Sequence, residues 1–190
     1  MDNPPFVNMH RYQAIEKEIY KIVKNSKPNT IVELGHGSGA ITTAMGLALK
    51  KHHPQGIIYS YDKIGKNSYK LSGVKSSSRE NIEKRNLSSL VNFIGGDVFD
   101  TWVKKPFNFD LLLIDIDNTW DILYRILINN KFINNQVKNG SKILIEGGDP
   151  NHPRINQNTL NLFNSKFSSP LFKLSYITGS GRTSLSTLEL

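Results

Sequence analysis

The strongest constraint on this chain's fold is a repeated pattern: five short apolar runs, each of which runs into an acid or a glycine cluster. The runs span 31–34, 57–61, 91–94, 109–114 and 142–145, and at their ends stand Glu33 and Gly35, Asp62, Asp97, Asp115 and Glu146. Apolar runs of this length, bounded by turn residues, read as buried strands. Stretches of helical period alternate with them. Residues 9–24 place Tyr12, Ile15, Ile19 and Ile22 on one face, and 119–133 do the same with Trp120, Leu123, Tyr124 and Leu127, with Thr119 as candidate cap. Further helices are expected at 39–50, at 78–88 and at 153–165, the last with Pro153 in its first turn. Two final strands are expected near 171–177 and 184–190, and the alternation of the second suits an exposed or edge strand. Alternating strands and helices with buried strands argue for an α/β fold, a mostly parallel sheet covered by helices on both faces. Ligands of such sheets bind outside the carboxyl ends of the strands, where the acids stand.

Composition narrows the class. At 190 residues the chain suits a single domain, 1–190, with 1–28 as an N-terminal helical segment. Its 38% apolar and 21% charged residues suit a folded globular protein rather than a disordered one. With no cysteine, neither a disulfide framework nor a Cys-based metal site can form. No apolar run nears the roughly 20 residues that span a bilayer. The first residues lack the basic start and apolar stretch of a signal peptide. A cytoplasmic protein without a membrane partner is expected. The net charge of +8 could attract nucleic acid, anionic lipid or a phosphorylated substrate. Richness in Asn, Lys, Ile and Ser, as from an AT-rich coding sequence, supplies lysines too, so the charge carries little weight.

The segment IVELGHGSGA joins the first strand to the second helix. Gly35, Gly37 and Gly39 let the backbone turn tightly and let a ligand approach it closely, and the helix after them offers free N–H groups. Glu33 interrupts the apolar strand, and a carboxylate there is costly to bury unless it meets donors. Asp62 ends the next strand, at the spacing where a carboxylate accepts both ribose hydroxyls of an adenosine ligand. Gly35, Gly37 and Ala40 also satisfy the G-x-G-x-x-G/A pattern, so an NAD-binding fold is a rival reading. Against it, Glu33 would face the pyrophosphate.

These motifs resemble the class I S-adenosyl-L-methionine (SAM)-dependent methyltransferases, in which an acid precedes a G-x-G-x-G loop. The similarity covers most of the chain: YSYDK resembles the acidic second motif, IGGDVFD the segment whose Asp bonds the adenine amine, FDLLLIDIDNTW the fourth motif, and KNGSKILIEG the fifth-strand segment. The resemblance implies a Rossmann-like three-layer α/β/α sandwich with a seven-stranded sheet and a reversed strand near the C-terminus. It implies SAM as cofactor. Glu33, Gly35, Gly37 and Gly39 would line its methionine and ribose part, Asp62 would hold the ribose and Asp97 the adenine. His36 and Ser38 touch cofactor or face solvent.

Methyl transfer needs an acceptor held in line and sometimes a base. The candidates follow strands four and five: Asp115, Asp117, Asn118, Trp120, Glu146, Asp149, His152 and Arg154. Asp115 is the first choice for both cofactor and catalysis. His152 could act as a general base or be a surface histidine. Asp117 belongs to the site or caps the following helix, and Trp120 reads as core. In the metal-dependent O-methyltransferases this segment resembles, an Asp after strand four and an Asp-Asn pair after strand five bind magnesium. Here Glu146-Gly147 replaces the pair, so no metal is expected. The loop from Lys63 to Arg79 carries five cations and no acid, and reads as a lid, an anion site or plain surface. The expected activity is O-methylation of a small-molecule or sugar-like acceptor. IDID stands where enzymes that methylate nitrogen carry N/D-P-P-[FYW]. The alternatives are an RNA methyltransferase, which is not favoured, and a non-catalytic SAM- or nucleotide-binding module. A second copy, as a homodimer, could complete the acceptor site.

Overall fold

The structure, a computed structural model, describes residues 13–63, 77–128, 131–168 and 172–190. Tyr12, the loop residues Lys66, Tyr69, Lys70 and Lys75, and the first residue of the strand expected at 171–177 lie outside the described residues. The elements run α1 (Gln13–Ser26), β1 (Thr30–Leu34), α2 (Ala40–His52), β2 (Ile57–Asp62), α3 (Ser78–Glu83), β3 (Val91–Gly95), α4 (Val98–Thr101) and β4 (Leu111–Ile114). There follow α5 (Trp120–Leu127), α6 (Lys131–Lys138), β5 (Lys142–Glu146), α7 (Gln157–Asn164), β6 (Lys173–Ser180) and β7 (Thr183–Glu189). The strands form one seven-stranded sheet in the order β3-β2-β1-β4-β5-β7-β6, parallel except for β7, which runs antiparallel to both neighbours. This is the α/β architecture with a reversed C-terminal strand that the resemblance implies.

Side chains alternate across the sheet as the pleat requires. Val32, Leu34, Leu112, Ile114, Ile143 and Ile145 face one core with Trp120, Leu123, Leu160 and Phe163 of α5 and α7. Ile31, Leu111, Leu113 and Leu144 face the other, against Ile15 and Ile19 of α1 and Met45 and Leu49 of α2. The register pairs Leu34 with Tyr61 and with Ile114, so β1, β2 and β4 end level. That alignment brings Gly35, Asp62 and Asp115 to one edge.

Four expectations change. The helix expected at 119–133 is two helices. α5 stops at Leu127, and α6 runs on to Lys138. Leu127 and Ile133 belong to the same core, so the apolar pattern runs on across the break. The helix expected from Pro153 starts at Gln157, because Asn156 caps it: its side chain accepts the Thr159 N–H while the Thr159 hydroxyl accepts the Asn156 N–H. The helix expected at 78–88 closes at Glu83. β7 is an interior strand rather than an edge. Its buried serines bond to backbone, the Ser184 hydroxyl to Gly181 O at 2.7 Å and that of Ser186 to Gly147 O at 2.8 Å, which makes a polar alternation compatible with burial. No helix among the described residues is long and apolar enough to cross a membrane.

Candidate active site

A cavity of about 580 Å³ opens at the carboxyl ends of β1, β2 and β4. Gly35, His36, Gly37, Ser38, Ala40 and Ile41 form one wall, Asp62, Lys63, Asp97, Asp115 and Asp117 the rim and floor, and Val98, Phe99, Ile116 and Ile122 an apolar side. Gly35 has φ +89°, and a Cβ on it would stand 2.1 Å from the Asp115 carbonyl oxygen, so only glycine fits between β2 and β4 there. Gly39 (φ +76°) does not line the cavity. It packs on α3, where a Cβ would come within 2.8 Å of Ser78 Cα.

The acids differ in their surroundings. Asp62 Oδ2 accepts the backbone N–H groups of His36 and Gly37, each at 3.2 Å, and so holds the glycine loop onto β2. Asp97 caps α4 by accepting the Phe99 N–H at 3.0 Å, with Lys63 Nζ 3.4 Å away. That N–H first, and then Lys63, hold its carboxyl below the usual range. Asp115 is the reverse case: burial, then the Glu146 carboxyl bonded to it, push it well above the usual range. Two carboxyls in contact share a proton rather than both ionise.

Glu33 lies beneath the loop and does not line the cavity. Its donors are not loop amides but hydroxyls of α2 and β2: Oε2 accepts from Thr42 at 2.7 Å and from Ser60 at 2.6 Å, while Oε1 is buried without a hydrogen-bond partner among the described residues. Burial outweighs the two hydroxyls and lifts its pKa to about 7. His36 is buried rather than solvent-facing. It stands edge-on to Phe93 with ring centroids 5.0 Å apart. Ser38 is also buried, and its carbonyl accepts from Asn81 Nδ2.

His152 falls outside this cavity. With Asn118, Glu146, Arg154 and Arg182 it lines a second, smaller cavity of about 40 Å³, which adjoins the first at Ile116. Asp117 does not cap α5, since the Thr119 hydroxyl accepts the Ile122 N–H; Asp117 instead pairs with Arg154. Trp120 is core, stacked on Phe172 with its indole N–H bonded to Thr159. Asp149 turns away to accept the Gly181 N–H at 2.5 Å. Among the described residues no group of three or more His, Asp or Glu side chains is arranged to hold a metal ion. Sequence reasoning missed Thr42 and Ser60 as partners of Glu33, Val98 and Phe99 as cavity wall, and Arg182. Only Phe99 carried a signal, two residues after an acid at a strand end.

The sequence matches no family model and no curated protein. The fold is similar to solved structures of methyltransferases. One is a Podospora anserina methyltransferase with S-adenosylhomocysteine (SAH) bound, at TM-score 0.62 and 16% identity over 92% of this chain and 77% of that one. Another is the O-methyltransferase TomG of Streptomyces achromogenes, which is involved in tomaymycin synthesis and was solved with SAM, at TM-score 0.58 and 13% identity over 93% and 79%. A third is an O-methyltransferase of Bacillus cereus with SAH, at TM-score 0.57 and 17% identity over 92% and 79%. The chain has the Rossmann-like fold of these enzymes.

Proposed function

We propose that this chain is a SAM-dependent methyltransferase that methylates an oxygen of a small-molecule or sugar-like acceptor. The observation that carries the reading is the charge of the larger cavity. Four acidic side chains and a single lysine, Lys63, line it in a chain of net charge +8; Asp115 shares a proton with Glu146 and Asp117 is paired with Arg154, which leaves the carboxylates of Asp62 and Asp97 against one Lys63. A dinucleotide pyrophosphate would meet like charge there, whereas a ligand with a sulfonium and an ammonium meets opposite charge. The residues fit SAM in other ways. The volume lies within the roughly 300–1,000 Å³ of small-molecule sites. A Cβ on Gly37, which lines the cavity, would meet no atom of the described residues within 4 Å beyond its chain neighbours, which is room that a ligand can use. The SAM- and SAH-bound structures of the same fold add weight.

SAM, when bound, supplies a methyl group on a positively charged sulfur. Asp62 is placed to accept ribose hydroxyls while keeping the loop amides. Val98, Phe99 and Ile122 offer the base an apolar slot, with ionised Asp97 at its rim. Glu33 acts from below by fixing Thr42 and Ser60. The Asp115–Glu146 pair, already sharing a proton, takes up the proton that an acceptor hydroxyl releases. His152 Nδ1 accepts the Arg154 N–H at 3.3 Å, so neutral His152 carries its proton on Nε2 and meets the acceptor as a donor. It becomes a base only by giving up that bond.

Calorimetric titration with SAM, SAH and NAD in parallel tests the reading. Micromolar binding of SAM and SAH with none of NAD is the expected result. Binding of NAD alone would overturn it.

A further inference from the structure

The apolar side of the larger cavity includes one aromatic ring, that of Phe99. This residue is the second of α4, a helix of four residues. The helix is tied down at both ends: the Asp97 side chain accepts the Phe99 N–H at 3.0 Å, and Val98 at its start and Trp102 just after it are buried. The backbone of Phe99 is thereby fixed. Its ring is only partly buried where it lines the cavity. Such a ring has rotamer freedom to lose when a ligand stacks on it, and that loss weakens binding unless something else fixes the ring first.

Arg125 is placed to do so. Its guanidinium carbon stands 4.1 Å from the centroid of the Phe99 ring, and among the described residues no second ring or cation lies on Phe99. Arg125 belongs to α5 and follows Ile122 by three residues, hence on the same helix face. Ile122 lines the cavity and Arg125 does not. One turn of α5 therefore supplies a wall residue and, behind the neighbouring wall residue, a cation. A ring has two faces. The guanidinium covers one, and what Phe99 shows the cavity is surface that the arginine leaves free. Arg125 is exposed, which suits this task, because a planar guanidinium stacks on an aromatic face while its edges stay in water.

We propose that Arg125 is a positioning residue of the cofactor site, whose guanidinium holds the Phe99 ring as a preformed wall against which the adenine base stacks. The inference rests on the SAM-dependent reading. Arg125 acts through the ring and not through its charge. That charge opposes the binding of a cationic cofactor. Nor is it needed to keep Asp97 ionised at neutral pH, because the Phe99 N–H, ahead of Lys63, already holds that carboxyl below the usual range. What Arg125 supplies is the fixed plane of the ring. A ligand whose charges sum to zero reads that contribution with little interference from the charge.

Calorimetric titration of the protein and its variants with SAH, which has no net charge, and with SAM tests the inference. Arg125→Met keeps most of the stem and loses the cation. It should weaken SAH binding about two- to fivefold, the size of an exposed cation–π contact, and SAM binding by less, since the lost repulsion offsets part of the effect. Arg125→Lys should recover part of the loss for SAH. In a Phe99→Leu background, itself weaker than wild type, Arg125→Met should change SAH affinity no further, because the arginine acts only through the ring. A merely structural role in α5 would persist there. Unchanged SAH affinity in Arg125→Met overturns the inference. So does a lysine variant no better than the methionine variant, or a loss of the same size in the absence of the ring. If the wild type binds neither SAH nor SAM, the cofactor reading falls and this inference with it. Binding of both without a response to Arg125→Met removes the inference alone.

Discussion

Glu16 is the most exceptional single residue outside the cavities. It is fully buried in α1, both its carboxylate oxygens lack a hydrogen-bond partner among the described residues, and burial raises its pKa to about 8 against a partial offset from Arg85. The native state therefore binds a proton that the unfolded chain, with an ordinary carboxyl near 4.5, has released. Stability should fall as pH rises from about 4.5 to about 8 and level off above that. Glu16→Leu should remove much of this slope and stabilise the fold by about 1–3 kcal/mol at pH 8, measured by denaturant titration across the range. Asp62 has two tasks. Asp62→Ala should weaken SAM binding by about 1.5–3 kcal/mol, roughly ten- to a hundredfold by calorimetry, since it removes a charged contact and frees the loop amides it holds. Gly35→Ala should cost at least about 2 kcal/mol of stability by thermal unfolding, because its positive φ and its clash with Asp115 O cannot both be relieved. At this scale the acids at strand ends were legible, because a charge in an apolar run has few structural excuses. The partners of Glu33 were not. Thr42 and Ser60 come from two other elements, and no spacing along the chain pairs them.

Elements were legible where apolar period and breaker agreed. β1, β2, β4 and β5 stand within a residue or two of where their apolar runs place them. β7 also stands within a residue of its expected place, but its interior position was not legible, since buried serines bonded to backbone look the same in sequence as serines in water. α7 shows how a cap overrides a proline signal: the Asn156 and Thr159 side chains reciprocate, and Asn156 Nδ2 also bonds His152 O, which ties the loop that carries His152 and Arg154 to the helix. Asn156→Ala should cost about 1–2 kcal/mol in thermal unfolding and lower the protection of backbone amides in the first turn of α7. An unchanged melting temperature would show that the cap is dispensable.

Across the molecule, the two helical layers bury the sheet's centre most deeply. Amide hydrogen exchange should accordingly be slowest in 31–34 and 111–114, whose side chains are wholly or almost wholly buried, and faster along β6 at the sheet edge. Uniform exchange across all seven strands would contradict that ranking. The molecule also separates charge, an acidic larger cavity beside an arginine-bearing smaller one. Neither the net charge nor any single motif announces this arrangement, because the turn of β6–β7 meets the loop after β5 only once the sheet has formed.

The place of β7 has a consequence for assembly. β6 precedes it in the chain but hydrogen-bonds to the sheet only through it, so β6 has no berth until the strand after it has been made. Until then β5 presents an open strand edge, and β6 and β7 can dock only together, as a finished hairpin. A hairpin that docks as one piece through one strand is also a piece that two copies of the chain can exchange, each lending its hairpin to the other's β5. Arg182, in the turn between β6 and β7, would then line its neighbour's small cavity rather than its own.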